Sequence, residues 1–141
     1  MDLKTIQDWW KEDSKIDEVL LDESSLKIPR LHQKYLTLYN EFTIGQKRKA
    51  QQLKKLRHSK YLYYSGKADP QIYVANPFPH RLLKTDVQEW IGVDDEVAAV
   101  EMELEYYNTT VAALDNILKQ IHQMSFNIKN AIEWRKFTSG G

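Results

Sequence analysis

Residues 94–137 read DDEVAAVEMELEYYNTTVAALDNILKQIHQMSFNIKNAIEWRKF and contain the strongest periodicity of this 141-residue chain. Apolar side chains recur there every seven residues in two registers, separated alternately by three and four positions. The two registers consist of Val97, Leu104, Val111 and Leu118, and of Val100, Tyr107, Leu114, Ile121 and Ile128. A repeat sustained over four heptads is typical of a coiled-coil seam. We therefore predict one long C-terminal helix whose seam residues mediate self-association.

The sequence upstream of residue 65 also predicts helices. A short amphipathic helix lies near the start, where Trp9 and Trp10 are adjacent and cannot both face one core. A second, much longer helical pattern runs from about Ile28 to Tyr64, and Ser24, Ser25 and Pro29 predict a break or a helix start at its beginning. The Ser-Gly pair that follows Tyr64 ends this helix, because glycine is common just past a helix C-terminus.

Prolines and a glycine set the segment 65–93 apart as an irregular connector, with a short helix expected near residues 83–90. Two long helices joined by such a connector predict an all-α fold, a long helical hairpin in a single domain over residues 1–141. A hairpin has too little core of its own to cover every apolar face. We therefore expect a homo-oligomer.

Composition argues against several functional classes. The chain has no cysteine, and its four histidines are scattered without ligand spacing, so neither a disulfide framework nor a metal site is expected. No apolar run approaches the roughly 18 residues that a membrane helix needs. We find no catalytic constellation and no cofactor motif. The expectation is a soluble intracellular protein that is not an enzyme, has no cofactor and does not associate with a membrane.

Charge is distributed unevenly, although the net charge is zero. Residues 42–68 contain eight Lys or Arg and no acid, whereas residues 86–118 contain nine acids and no Lys or Arg. The eight cations are Lys47, Arg48, Lys49, Lys54, Lys55, Arg57, Lys60 and Lys67, and they are spread around much of the helix. Tyrosines 61, 63 and 64 follow them. Cations that neutralise phosphates, next to aromatic rings that stack on bases, are typical of single-stranded nucleic-acid binding.

We accordingly predict a strand-binding site at the end of the basic helix. It comprises Lys54, Arg57, Lys60, Lys67, Tyr63 and Tyr64. Other interpretations remain open: the basic and acidic helices could pair in a purely structural coiled-coil protein, and the tyrosines could be core groups. A further alternative is a helical adaptor that docks through Trp9, Trp10 and Phe78 without binding nucleic acid.

One short motif, together with the layout of the chain, resembles the UvsY family of phage recombination mediators. The motif is LYYSGK at 62–67, directly after the basic helix, and the long last helix ends in IKNAI at 128–132. In the family a basic, a small and a second basic residue precede the tyrosines and bind the strand. These positions hold His58, Ser59 and Lys60 here. The resemblance adds His58 to the site, and Arg57 beside it is a candidate to supply the charge that a mostly neutral histidine lacks.

The resemblance also implies partners and a role. It implies a ring-like homo-oligomer, a hexamer or heptamer, that binds single-stranded DNA and is not an enzyme. Such a protein loads the phage RecA-like recombinase UvsX onto strands coated by the phage single-strand DNA-binding protein. It serves homologous recombination, repair and recombination-dependent replication in the cytoplasm of the infected bacterium. In the family the C-terminal helix drives self-association, in agreement with the heptads.

Overall fold

A computed structural model describes residues 1–140, which form five α-helices and no β-strand. The helices are α1 (Leu3–Asp13), α2 (Leu21–Tyr64), α3 (Pro70–Ala75), α4 (Lys84–Gly92) and α5 (Asp95–Thr138). Helices α2 and α5 have 44 residues each, a length of about 66 Å. The all-α prediction and the long C-terminal helix are confirmed. Gly141, the last residue of the predicted domain, lies outside the described residues.

Helix α2 begins earlier than the sequence pattern predicts. Its first residue is Leu21, and Pro29 lies inside the helix although it was expected to mark a break or a helix start. The carboxylate of Asp17 accepts hydrogen bonds from the backbone N–H groups of Val19 and Leu20 just before the helix. Leu21 is buried in the core. These local bonds and this burial outweigh the backbone hydrogen bond that a proline cannot donate.

Two short helices lie in the segment expected to be irregular. Helix α4 is close to the short helix predicted near residues 83–90. Helix α3 was not predicted. Its first residue, Pro70, has the fixed φ angle that suits the first turn of a helix, where a missing N–H costs nothing.

The chain divides into two compact units, of which the first holds Met1–Thr43 and the chain from Thr109 onward. In this unit α1 and the start of α2 pack against the second part of α5. The largest fully buried side chains of its core are Ile6, Tyr35, Leu114, Ile121 and Ile128. Trp10 packs against this core, whereas Trp9 is 36% exposed. One tryptophan of the pair therefore faces the core, as adjacent positions on a helix require.

The second unit is Ile44–Asn108 and contains the end of α2, both short helices and the start of α5. Its buried core is small, consisting of Val87, Ile91 and Val97. Leu53, Leu56, Tyr61, Tyr64 and Leu82 pack against that core. No helix among residues 1–140 is both long and apolar enough to cross a membrane.

The heptad residues of α5 pack inside their own chain. Five of them are buried, namely Val97, Val100, Leu114, Ile121 and Ile128, and the other four are half-buried. Since a side chain in its own core is not offered to a second subunit, the seam is largely an intrachain one. The large apolar side chains that α5 leaves exposed lie at other positions: Met102, Tyr106, Phe126, Trp134 and Phe137. The role of the heptad residues in self-association stays a prediction.

Gly45 lies where α2 approaches α5 within the second unit. A Cβ atom at this position would clash with the ring atom Cε1 of Tyr107. In an open helix a glycine-to-alanine change stabilises by about 1 kcal/mol. Here we expect Gly45→Ala to lower the free energy of unfolding by about 1–3 kcal/mol, because the Tyr107 ring has to move. Thermal unfolding measures the loss.

The Tyr107→Ala background provides the control for this prediction. With the ring removed, Gly45→Ala should cost nothing or should raise the melting temperature. An equal loss in both backgrounds would contradict the steric explanation.

Candidate nucleic-acid interface

Within the second unit, α2 and α5 carry opposite charges, and some of these charges are paired. The ammonium of Lys49 lies 2.5 Å from Oε2 of Glu103. The guanidinium of Arg57 pairs with the carboxylate of Glu101. The alternative of a purely structural coiled-coil protein requires the basic and acidic helices to pair, and Lys49 and Arg57 do pair in this way. Such partly exposed pairs typically contribute about 0–1 kcal/mol each.

Lys60 belongs to a more buried network at the start of α5. Its ammonium lies 3.3 Å from Oδ2 of Asp94 and 3.5 Å from Oε1 of Glu96. Asp94 caps α5, because its Oδ1 accepts a 3.1 Å hydrogen bond from the backbone N–H of Val97. Its Oδ2 accepts a 2.5 Å hydrogen bond from the hydroxyl of Tyr64. Lys60 and Tyr64 thus connect the end of α2 to the beginning of α5.

The charge state of Asp94 follows from these contacts. Burial opposes its ionisation, but the hydrogen bonds from Tyr64, the Val97 N–H and Lys60 outweigh burial and hold the pKa of Asp94 below its usual value. Burial, followed by the hydrogen bond to Asp94, raises the pKa of Tyr64. The network is therefore an ionised carboxylate bound by a neutral phenol and an ammonium.

The opposite face of α2 carries cations that make no ion pair within residues 1–140. These exposed residues, which we name the basic strip, are Lys47, Arg48, Lys54, Lys55 and His58. Lys47 and Lys54 are seven residues apart, as are Arg48 and Lys55, so each pair returns to the same face after two turns. The strip extends about 17 Å along the helix. The structure thus separates the cations into a paired face and an unpaired face, whereas the sequence showed them only as spread around the helix.

Tyr63 and Tyr64 lie in an aromatic cluster of the second unit. The Tyr63 ring stacks on Tyr73, with centroids 5.4 Å apart and planes 16° apart. The Tyr64 ring contacts Phe78 and Trp90. This environment favours the alternative that the tyrosines are core groups, because protein rings already contact these two. Stacking of the two rings on DNA bases stays a prediction.

The predicted site residues therefore lie in different surroundings. Lys54 and His58 belong to the basic strip, Arg57 and Lys60 face acids, and Lys67 is exposed just past the helix end. The predicted site omitted three residues of the strip, namely Lys47, Arg48 and Lys55. The seven-residue spacing to Lys54 and Lys55 was a usable signal for them.

Comparison with known families identifies the chain. A family model described as "Recombination, repair and ssDNA binding protein UvsY" matches residues 9–141. The chain belongs to the UvsY family. Its members are thus described as recombination, repair and single-stranded-DNA-binding proteins, and the resemblance inferred from the LYYSGK motif and the helix layout is confirmed.

Solved structures of a UvsY protein share the fold. The crystal structure of the bacteriophage T4 recombination mediator protein UvsY in lattice type II matches with a TM-score of 0.90 at 24% identity, over 99% of each chain. Lattice type I gives 0.85 at 24% identity, over 95% of this chain and 98% of that one. Lattice type IV gives 0.84 at 22% identity, over 98% and 99%. No curated protein sequence matches the chain significantly.

The UvsY family assignment agrees with what the described residues offer chemically. Residues 1–140 contain no group of three His, Cys, Asp or Glu side chains that could hold a metal ion. The basic strip instead offers exposed cations on a helix that has no acid from residue 42 to its end. Such a surface suits the binding of a polyanion.

Proposed function

We propose that this UvsY-family protein binds single-stranded DNA along the basic strip of α2. The observation that carries the proposal is the exposure of Lys47, Arg48, Lys54 and Lys55 on one helix face, without an acid partner among the described residues. Unpaired cations can neutralise phosphates and release condensed counterions, which is the main source of sequence-independent affinity. His58 lies within the same strip.

The protein would act as a phage recombination mediator and not as an enzyme. In this proposal it loads the RecA-like recombinase UvsX onto strands covered by the phage single-strand DNA-binding protein, in the cytoplasm of the infected bacterium. Family membership and the fold shared with the T4 recombination mediator support this role. The work is physical, since binding and release of a strand require no chemical step.

We further propose that the protein assembles into a homo-oligomeric ring, a hexamer or heptamer, through α5. The half-buried heptad residues are Leu104, Tyr107, Val111 and Leu118. Such contacts would use Leu104, Val111 and Leu118 together with the exposed Met102, Phe126, Trp134 and Phe137. A ring would combine several weak strand contacts into avid binding, because each further subunit binds a strand that is already held nearby.

Fluorescence anisotropy of a labelled single-stranded oligonucleotide, measured across a salt series, tests strand binding by the wild type. We expect binding that weakens steeply with salt, with a log–log slope of about −0.7 for each neutralised phosphate. Four strip cations then correspond to a slope of about −3 for each subunit engaged. If no binding is observed at low salt, the structural coiled-coil interpretation replaces this proposal.

A further inference from the structure

We infer that Glu101 and Glu103 of α5 limit the strand affinity of this protein by occupying Arg57 and Lys49, two cations that flank the basic strip. The acids act as an internal competitor for phosphate. The inference rests on the proposed strand binding and adds affinity-determining residues that lie outside the strip.

The position of the two cations on α2 makes them available to a strand. Arg57 directly precedes His58 of the strip, and Lys49 directly follows Arg48. At 100° per residue Arg57 lies about 60° beyond Lys54 at one edge of the strip, and Lys49 lies about 100° beyond Arg48 at the other edge. A phosphate at the first edge is therefore within reach of Arg57 by a change of side-chain rotamer, whereas Lys49 reaches a phosphate where the strand extends further around the helix.

The two ion pairs are open enough to be exchanged. The side chain of Arg57 is 51% exposed and that of its partner Glu101 is 39% exposed. Glu103 is 54% exposed, although Lys49 is more covered at 20%. Because pairs of this kind contribute about 0–1 kcal/mol, a strand phosphate can displace the carboxylate at little cost. The competition nevertheless lowers the net affinity, since each phosphate must first replace an acid.

Lys60, the third paired cation, differs from Arg57 and Lys49. Lys60 is held by Asp94, which is only 8% exposed and also caps α5. Removing Lys60 from that carboxylate would leave a buried charge with one partner fewer, which is costly. We therefore expect Lys60 to stay with Asp94 while Arg57 and Lys49 move to the strand.

Weak binding by each subunit suits a protein that passes its strand on. A mediator that held the strand with every cation would compete with the recombinase that it loads. With an internal competitor, the strand can leave one subunit as Glu101 and Glu103 recapture their cations. A ring can keep hold of the strand in the meantime through its other subunits.

The decisive experiment compares two double variants with the same change in net charge. The test variant is Glu101→Gln/Glu103→Gln, which releases Arg57 and Lys49. The control is Glu89→Gln/Glu105→Gln, since both of these acids are exposed in the second unit and neither makes an ion pair within residues 1–140. Both variants are titrated against a labelled single-stranded oligonucleotide, by anisotropy across a salt series, beside the wild type.

For the test variant we expect an affinity about tenfold higher at roughly 0.1 M salt, because two ion pairs of about 0–1 kcal/mol each no longer have to be broken. The log–log salt slope should stay close to that of the wild type, since Arg57 and Lys49 reach phosphates in both proteins. The control should change affinity by less than about twofold and leave the slope unchanged. Adding Arg57→Ala to the test variant should remove the part of the affinity gain that results from Glu101→Gln. The single Glu101→Gln variant, with an expected affinity gain of about threefold, serves if the double variant does not fold.

Two results would overturn the inference: equal tightening in the test and control variants, or no change in the test variant. The first would show a general effect of net charge and the second would show that the pairs do not compete with DNA. Failure of the wild type to bind any strand at low salt is a different result, which rejects the proposed function itself.

Discussion

Replacing Lys47, Arg48, Lys54 and Lys55 together with alanine is expected to weaken single-stranded DNA binding by about 100-fold or more at roughly 0.1 M salt. These are the permanently charged side chains of the basic strip, and none pairs with an acid among the described residues. Their loss should also make the log–log salt slope less negative by about 2.8, since each lost phosphate contact removes about 0.7. Anisotropy titrations across a salt series measure both quantities.

A matched control removes four exposed cations from the first unit: Lys11, Lys27, Arg30 and Lys129. This variant has the same net charge, so it should lose only the small nonspecific part of the affinity. The strip variant should keep the wild-type melting temperature, because its four side chains make no ion pair or hydrogen bond to the rest of the described chain. Equal losses in both variants would reject the strip as the binding surface.

Asp94→Ala is expected to produce the largest loss of stability, about 2–4 kcal/mol in the free energy of unfolding. The substitution removes the N-cap of α5 and leaves the Tyr64 hydroxyl and Lys60 without their shared carboxylate. Loss of a cap costs about 1 kcal/mol, and loss of partners for half-buried polar groups costs about 1–3 kcal/mol more. We expect the melting temperature to fall by roughly 10 °C.

The neighbouring Asp95 is the control for that prediction. Asp95 is exposed and lies in the first turn of α5, so Asp95→Ala should cost at most about 1 kcal/mol through the helix dipole.

The pH dependence of stability gives a second test of the role of Asp94. Since folding lowers the pKa of Asp94 from its usual 3.8, the stabilisation by the ionised carboxylate is present above that pH and is lost as the pH falls through the folded pKa. The difference between wild type and Asp94→Ala should therefore shrink below about pH 4. Equal losses in the free energy of unfolding for Asp94→Ala and Asp95→Ala would contradict a stabilising role of the Asp94 network.

Much of the fold could be predicted because its signals are local. The heptads of α5 and the glycine after Tyr64 report helix position through spacing and backbone preference alone, and they placed both long helices. The start of α2 was predicted incorrectly because Pro29 is a strong local signal. The burial of Leu21, which favours the earlier start, depends on the folded chain. Helix α3 has six residues, too few to show a period.

The candidate site could be located from sequence only to within a helix. The run of cations without acids identifies α2, and helical spacing shows which cations share a face. Which of those faces meets α5 cannot be read from spacing. That face decides that Arg57 and Lys60 are paired while Lys47 and Lys55 are not.

The amino-acid sequence alone was thus enough to predict the helices. It also showed the separation of charge into a basic and an acidic stretch, and the motif that resembles the UvsY family. Contacts between distant segments required the folded chain. The heptad residues pack into their own chain, Tyr64 binds Asp94, and Glu101 and Glu103 neutralise cations that sequence alone left available. The reason is physical: helix formation depends on neighbours within a few residues. The partner of each side chain depends on the register between two helices that lie tens of residues apart in sequence.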